Sequence, residues 1–583
     1  MMSLTGGELL LDLLQACGIE YIFCSPGTEW TPVWEGLIKR QGSGDTALKY
    51  INCRHEMLAV SMAMGYAEVT GRLPAVLLHA GVGALHGVMA MRNACTARVP
   101  VIIISGETYE HRGDDEVRAQ GFHWLGLLSD IGGPPALVEN CVKWSNAIKS
   151  RDSLVDSVSR GCQIAMTAPR GPVFLSIPTE ILLKSRPEAK IARPYPAAVA
   201  AHPHPADLQE AAHQLARSKK PIIIAEHAGK NPGLVRKLTE LAELLSIPVF
   251  EASLPYTSNF PKDHPLYLGH NVSQALKEAD TVFVLSGTTP WYPPSAGPKD
   301  DARVIMLDEA PLHEKLPFWG YRADISITGD VASTLASLVD IIRVEIGGRK
   351  RAAPVYRERL EHWREKHDEL MARMEKEALA VENNRPIATR WFCYAAKKTL
   401  PADAIILDET IVHTRFISEY LSEPGRYIKS AYGGLGVGMG ESLGVKLANP
   451  DRPVILMVGD GAFNYNPVLA GLGLSQEYGL PVFIIIFNNG GYQAMKFGHQ
   501  RLYPQGAAVT QDRFLGVDIT PAPDYVKIAE AFGAYGERLE DPGDIGAALE
   551  RGLKQVAHGK TALLDVILEN TSPFMPPPRP AGS

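Results

Sequence analysis

The chain has 583 residues, 45% of them hydrophobic and 21% charged, and a formal net charge of −7. That length predicts several domains of ordinary size. The small acidic excess, with no basic stripe, argues against nucleic acid as the main partner, and no apolar run approaches the roughly 20 residues that span a bilayer. The start, Met-Met-Ser-Leu-Thr-Gly-Gly-Glu, lacks the basic and apolar regions of an export signal, so a cytoplasmic location is expected. Seven cysteines without CxxC spacing fit reduced thiols, most of them core residues.

Residues 6–16 have helical spacing, and 19–24 form a short apolar strand ending in Ser25-Pro26-Gly27-Thr28. Residues 49–52 read as a strand, after which Arg54-His55-Glu56 opens a helix over 57–70. A strand over 75–78 ends in His79-Ala80-Gly81-Val82-Gly83, a β-branched strand covers 99–105, and 171–178 closes the unit. Such alternation predicts a parallel sheet with helices on both faces. The Pro- and Ala-rich stretch 186–205 reads as a linker. A second unit has strands at 221–225, 247–251, 281–286 and 303–308. A charged helix over 356–377 then reads as a solvated connector, and a third unit runs from about 386 to 568, with a Pro-rich tail. The expected fold class is α/β, with three doubly wound parallel-sheet domains at 1–185, 186–350 and 351–583. The first and third share a coarse pattern.

The third unit carries the most specific signal. An apolar run over 453–458 ends in Gly459-Asp460-Gly461-Ala462, and a second over 482–487 ends in Asn488-Asn489-Gly490-Gly491-Tyr492. In a parallel sheet both turns lie on the carboxyl edge, where such folds bind ligands. Asp460 offers a carboxylate and Asn489 an amide oxygen, hard ligands that suit Mg²⁺. The glycines let backbone N–H groups approach a diphosphate. Gly-Asp-Gly alone is ordinary turn chemistry; the second turn makes the pair specific.

This pair of turns resembles the signature of the thiamin-diphosphate (ThDP) enzymes. The resemblance implies pyrimidine-binding, central and diphosphate-binding domains, in that order. It makes Asp460, Asn489 and the carbonyl of Gly491 the Mg²⁺ ligands, and lays Gly461 and Ala462 on the diphosphate. Glu56 would bind N1′ of the aminopyrimidine, and a carboxyl group set against an apolar ring has the raised pKa that proton sharing requires. In Tyr432-Gly433-Gly434-Leu435-Gly436, the carbonyl of Gly433 would meet the 4′-amine and Leu435 would prop the cofactor in a bent shape. Glu409 and Thr410, at the end of a strand over 404–407, would approach the diphosphate, and Tyr492 would border the substrate. In the family the cofactor lies between two chains, so Glu56 and Asp460 would act on one ThDP from different subunits of a homodimer at minimum, usually a homotetramer.

On the substrate side, Thr28 and His79 resemble the hydroxyl and histidine of benzoylformate decarboxylase, and His79 is an apt proton shuttle near neutral pH. That enzyme's second histidine has no counterpart, since the matching stretch is Gly287-Thr288-Thr289-Pro290-Trp291-Tyr292. Gln120 stands where acetolactate synthases and benzaldehyde lyase carry a glutamine. The expected activity is therefore C–C bond cleavage or formation on small 2-oxo acids or aldehydes, as a decarboxylase or lyase-carboligase. Acetolactate synthase, with its non-redox flavin (FAD), stays open as the alternative. Read without the resemblance, Glu56 is a helix-dipole carboxylate, His79 is as readily structural, and Leu435 is core. A nicotinamide dehydrogenase is disfavoured: Gly434-Leu435-Gly436-Val437-Gly438 nears the glycine spacing, but no ribose-binding acid follows. A cofactor-lacking relative is disfavoured because Glu56, Asp460 and Asn489 are all present.

Overall fold

The apolar runs become the strands of three all-parallel sheets flanked by helices. The computed structural model describes residues 3–108, 132–187, 194–252, 255–347, 354–430 and 433–570. Strands covered on both faces need continuous rather than alternating apolar sequence, as in Ile102, Ile103 and Ile104 or Ile484, Ile485 and Ile486, all buried.

The first sheet is ordered Lys49–Asn52, Tyr21–Cys24, Ala75–Leu78, Ile102–Glu107, Val173–Pro178, Trp144–Ala147. The third is ordered Tyr427–Lys429, Ile405–Glu409, Val454–Gly459, Phe483–Asn488, Ala562–Ile567, Tyr535–Leu539. Numbered by appearance within each sheet, both run 2-1-3-4-6-5, so the shared coarse pattern is a shared topology. The central sheet, Val249–Glu251, Pro221–Ala225, Thr281–Leu285, Arg303–Asp308, Ile325–Thr328, runs 2-1-3-4-5. Ser3–Thr5 pairs antiparallel with Ser185–Pro187, which ties the start of the proposed linker to the N-terminus.

The first and third sheets meet through two helices, Glu56–Thr70 and Gly438–Ala448. Their backbones approach so closely that a Cβ at Gly65 would lie 2.1 Å from the carbonyl oxygen of Glu441, and one at Gly444 would lie 2.0 Å from that of Met62. The run of small residues after Glu56 serves this crossing. The charged helix Pro354–Leu379 is more than a solvated connector: Tyr356, His367 and Ala378 are buried. Arg359 donates to the carbonyls of Leu245 and Ser218, and His367 Nδ1 lies 2.9 Å from the carbonyl of Tyr267. Among the described residues, no helix is long and apolar enough to cross a membrane.

Candidate active site

Strand register assembles the third-sheet site. Val454–Gly459 and Phe483–Asn488 are neighbours, with Gly459 opposite Phe487, so Asp460 and Asn489 leave adjacent strands at one edge. Asp460 opens the helix Asp460–Tyr465 and is buried. Burial pushes its carboxyl up to about 6, against the lowering effect of the N–H groups of Gly461, Gly491 and Gly490. The side-chain nitrogen of Asn489 lies 3.1 Å from His413 Nε2, while its Oδ1 is buried without a hydrogen-bond partner. His413 precedes the helix Thr414–Tyr420, and its Nδ1 lies 2.9 Å from the Thr389 hydroxyl. Burial pushes the imidazole down to about 3, so it is neutral.

The glycines have separate reasons. A Cβ on Gly461 would lie 2.7 Å from Cε1 of Tyr492, so one edge of the tyrosine ring packs against that turn. Gly433 has φ +71, a left-handed backbone in open space; next to it the carbonyl of Gly434 accepts from Asn93. Leu435 is half-buried.

Glu409 and Thr410 have other tasks than the expected approach to a diphosphate. The Glu409 carboxylate accepts from the N–H groups of Gly436, Val437 and Gly438 and from Asn466 Nδ2. It caps the helix Gly438–Ala448 and fixes the Gly433–Leu435 turn from behind. Thr410 donates to its neighbour Asp408, and its carbonyl accepts from Lys429 and Thr414. Both side chains are buried and already hydrogen-bonded, Glu409 to three backbone N–H groups and Asn466, Thr410 to the Asp408 carboxylate and the Thr414 hydroxyl.

The first sheet gathers a second group in the same way. Cys24 lies opposite Asn52 on one side and Leu77 on the other, so the turns bearing Thr28, Glu56 and His79 share one edge. Glu56 begins the helix Glu56–Thr70, and its Oε2 lies 3.4 Å from His86 Nδ1. His79 Nδ1 lies 2.9 Å from both carboxylate oxygens of Glu29, which also accepts the Ala80 N–H. The Glu29 hydrogen bond raises the pKa of His79, against the effect of burial. Gly27 lies against this pair: a Cβ there would sit 2.4 Å from Glu29 Oε2 and 2.5 Å from His79 Nδ1. A Cβ on Gly83 would touch both His79 and Glu56, so the two candidate proton-handling groups are neighbours. Thr28 is exposed in the same turn. Gln120 lies outside the described residues.

Sequence reasoning missed Glu29, His86, His413 and Asn466. None sits in a motif, and each is revealed only by the neighbour it faces across strands or helices.

Residues 4–123 match the family model for the N-terminal TPP binding domain of thiamine pyrophosphate enzymes, 208–338 that for the central domain, and 412–566 that for the C-terminal TPP binding domain. The chain belongs to this family of thiamine pyrophosphate (thiamin diphosphate) enzymes. It is 24% identical to the acetolactate synthase isozyme 3 large subunit of Escherichia coli (strain K12), over 99% of this chain and 97% of that one. It is 27% identical to the benzoylformate decarboxylase of Pseudomonas aeruginosa, over 96% and 98% respectively. The solved structure of a thiamine diphosphate-dependent 4-hydroxybenzoylformate decarboxylase from Rhodococcus jostii superposes with a TM-score of 0.76 at 24% identity, covering 97% of this chain and 99% of that one; this likeness is one of fold.

The residues present fit the cofactor of the family. An unpartnered buried amide oxygen costs about 1–3 kcal/mol, and Asn489 Oδ1 is one. A hard cation beside the Asp460 carboxylate would satisfy it.

Proposed function

We propose that the chain is a ThDP- and Mg²⁺-dependent decarboxylase or lyase-carboligase acting on a small 2-oxo acid or aldehyde. The observation that carries this reading is the Glu29–His79 pair standing beside Glu56 at one sheet edge. When bound, ThDP supplies a nucleophilic carbon and an electron sink, with Mg²⁺ holding its diphosphate. Asp460, Asn489 Oδ1 and the Gly491 carbonyl are the metal ligands of this reading, and the Gly461–Ala462 turn takes the diphosphate. Glu56 would hold a proton toward the aminopyrimidine, the carbonyl of Gly433 would receive its amine, and Leu435 would pack against the bound cofactor.

Glu29 fixes the tautomer of His79 by accepting its Nδ1–H, which leaves Nε2 as the exchangeable position. His79 Nε2 would then be the atom that delivers a proton to the substrate or takes one from it. Thr28 is the hydroxyl for the substrate carboxylate. The assembly is a homodimer at minimum, more usually a homotetramer, with Glu56 serving the partner's diphosphate site. The free cysteines agree with a reducing, cytoplasmic compartment.

A second reading, acetolactate synthase with a flavin in its central domain, is favoured by the names of relatives such as the Escherichia coli large subunit. Incubation with benzoylformate and, separately, pyruvate, scored for carbon dioxide, aldehyde and acetolactate, distinguishes the two. The first reading expects aldehyde, and acetolactate as the main product would replace it. A thermal shift on adding ThDP with Mg²⁺ tests the cofactor itself.

A further inference from the structure

The central sheet has a crevice of its own. Its order reverses between Pro221–Ala225 and Thr281–Leu285, the point at which open parallel sheets of this order take a nucleotide, beyond the strands' carboxyl ends. Such a site needs peptide N–H groups free to meet phosphate and a glycine-rich turn that lets it approach. Here the turn after Pro221–Ala225 is Glu226-His227-Ala228-Gly229, and its glycine is already engaged: the N–H donates to Asn259 Oδ1, and an added Cβ would lie 2.0 Å from the Ser258 carbonyl oxygen. Glu226 is buried, and its carboxylate accepts the N–H groups of Thr288 and Thr289, which follow the neighbouring strand. A side-chain anion therefore spans the switch point, on the donors that a phosphate would use.

The surroundings seal this arrangement. The indole of Trp319 donates to the carbonyl of Thr288 at 2.8 Å, and the hydroxyl of Tyr321 donates to that of Trp291 at 2.9 Å. Tyr321 packs between the Trp291 and Trp319 rings, at centroid distances of 5.2 and 5.7 Å. Arg98, from the first unit, pairs with Asp308 at the end of the next strand. Burial pushes the Glu226 carboxyl up to about 7, so part of its charge persists at neutral pH, where it would repel a diphosphate.

We infer that Glu226 is an internal surrogate anion that closes the central crevice to dinucleotides, so that this chain works without the flavin of the acetolactate synthase reading. The inference holds whichever acyl substrate the enzyme uses, and its test is independent of turnover.

Heat extraction of the purified holoenzyme, with fluorescence detection, is expected to release thiamin diphosphate and no FAD. Calorimetric titration of the holoenzyme with FAD and with ADP is expected to show no saturable binding at micromolar concentrations. E226A, which frees the two N–H donors, is expected to bind ADP at least about tenfold more tightly than wild type, a step of about 1.4 kcal/mol. Flavin in the extract, micromolar binding by the wild type, or an E226A variant with no gain would each overturn the inference. Should E226A fail to fold, the extract and the wild-type titration still decide.

Discussion

The side-chain amide of Asn489 faces His413 Nε2 at 3.1 Å, and this contact decides which way its oxygen points. The amide nitrogen can only donate, so Nε2 accepts, and the ring proton sits on Nδ1 toward the Thr389 hydroxyl. Outer partners of this kind tune metal affinity by about 10–100-fold. His413→Phe, which keeps a ring but not the acceptor, is expected to weaken Mg²⁺ by about that factor. Asn489→Ala is expected to abolish Mg²⁺-dependent ThDP binding. Calorimetric Mg²⁺ titration checks both, and an unchanged Kd in His413→Phe would remove His413 from the site.

The same histidine sets an acid limit on stability. Burial holds its folded pKa at about 3, below the ordinary 6.5, so on acidification the unfolded chain takes up the proton first. Stability is therefore lost as pH falls from 6.5 toward 3, each unit of the gap being worth about 1.4 kcal/mol. His413→Phe lacks this term, so its stability difference from wild type should shift in its favour on acidification. Urea melts at a series of pH values read this directly.

Glu29 gives the opposite sign at His79. The pair raises the folded pKa of the imidazole, so its contribution to stability is complete below the ordinary value and is lost as pH rises through the folded one. Glu29→Gln should return His79 toward its ordinary pKa and move the corresponding limb of the kcat/KM profile to lower pH. His79→Ala should lower kcat by about 10²–10⁴-fold, the usual range for a positioned proton-transfer group. A profile unmoved in Glu29→Gln would show that His79 does not titrate in the reaction.

The helix crossing between the first and third units is a packing constraint that a stability measurement can isolate. Gly444→Val would drive a side chain into the Met62 carbonyl, 2.0 Å from the ideal Cβ. The helices must part, at an expected loss of about 1–3 kcal/mol or more. Gly42→Ala is the control: that glycine lies at a helix end with nothing within 4 Å of its Cβ and no positive φ. It should stabilise by about 0.4–1 kcal/mol through the unfolded chain. Denaturant melts of the two variants test the contrast.

The sequence shows which parts of such a site are legible in advance. Strands buried on both faces announce themselves as apolar runs, so Ala75–Leu78 and Arg303–Asp308 lie where expected. Edge strands such as Trp144–Ala147 and Ile325–Thr328 are partly exposed and carry no such run. That Asp460 and Asn489 would leave adjacent strands at one edge was readable because each turn ends an apolar run. The partners of Glu409 were not readable: a carboxylate at a strand end looks like a ligand, and the N–H groups of Gly436, Val437 and Gly438 that it accepts from lie 27 to 29 residues on. Glu29 and His413 act through one cross-strand or cross-helix neighbour, and a linear chain does not record who that neighbour is.

The two halves of the proposed site each border exposed apolar side chains. Val82, Leu85 and Met89 line one face of the helix Ala80–Thr96, which also bears His86, the partner of Glu56; Leu85 is 45% exposed. Near Asp460 and Asn489 the chain exposes Tyr465, Leu469 and Met495, the last two at 66% and 60%. Exposed apolar patches on a protein of this size mark interaction surfaces. These two flank the residues assigned to different subunits, as an isologous pairing requires. Leu85→Asp should therefore yield a monomer on light scattering and lose most ThDP affinity, although Asp460, Asn489 and His413 are untouched. The same variant should melt cooperatively, since in the single chain the substituted side chain is already nearly half exposed. A monomeric Leu85→Asp protein with undiminished turnover would show that one chain supplies the whole site.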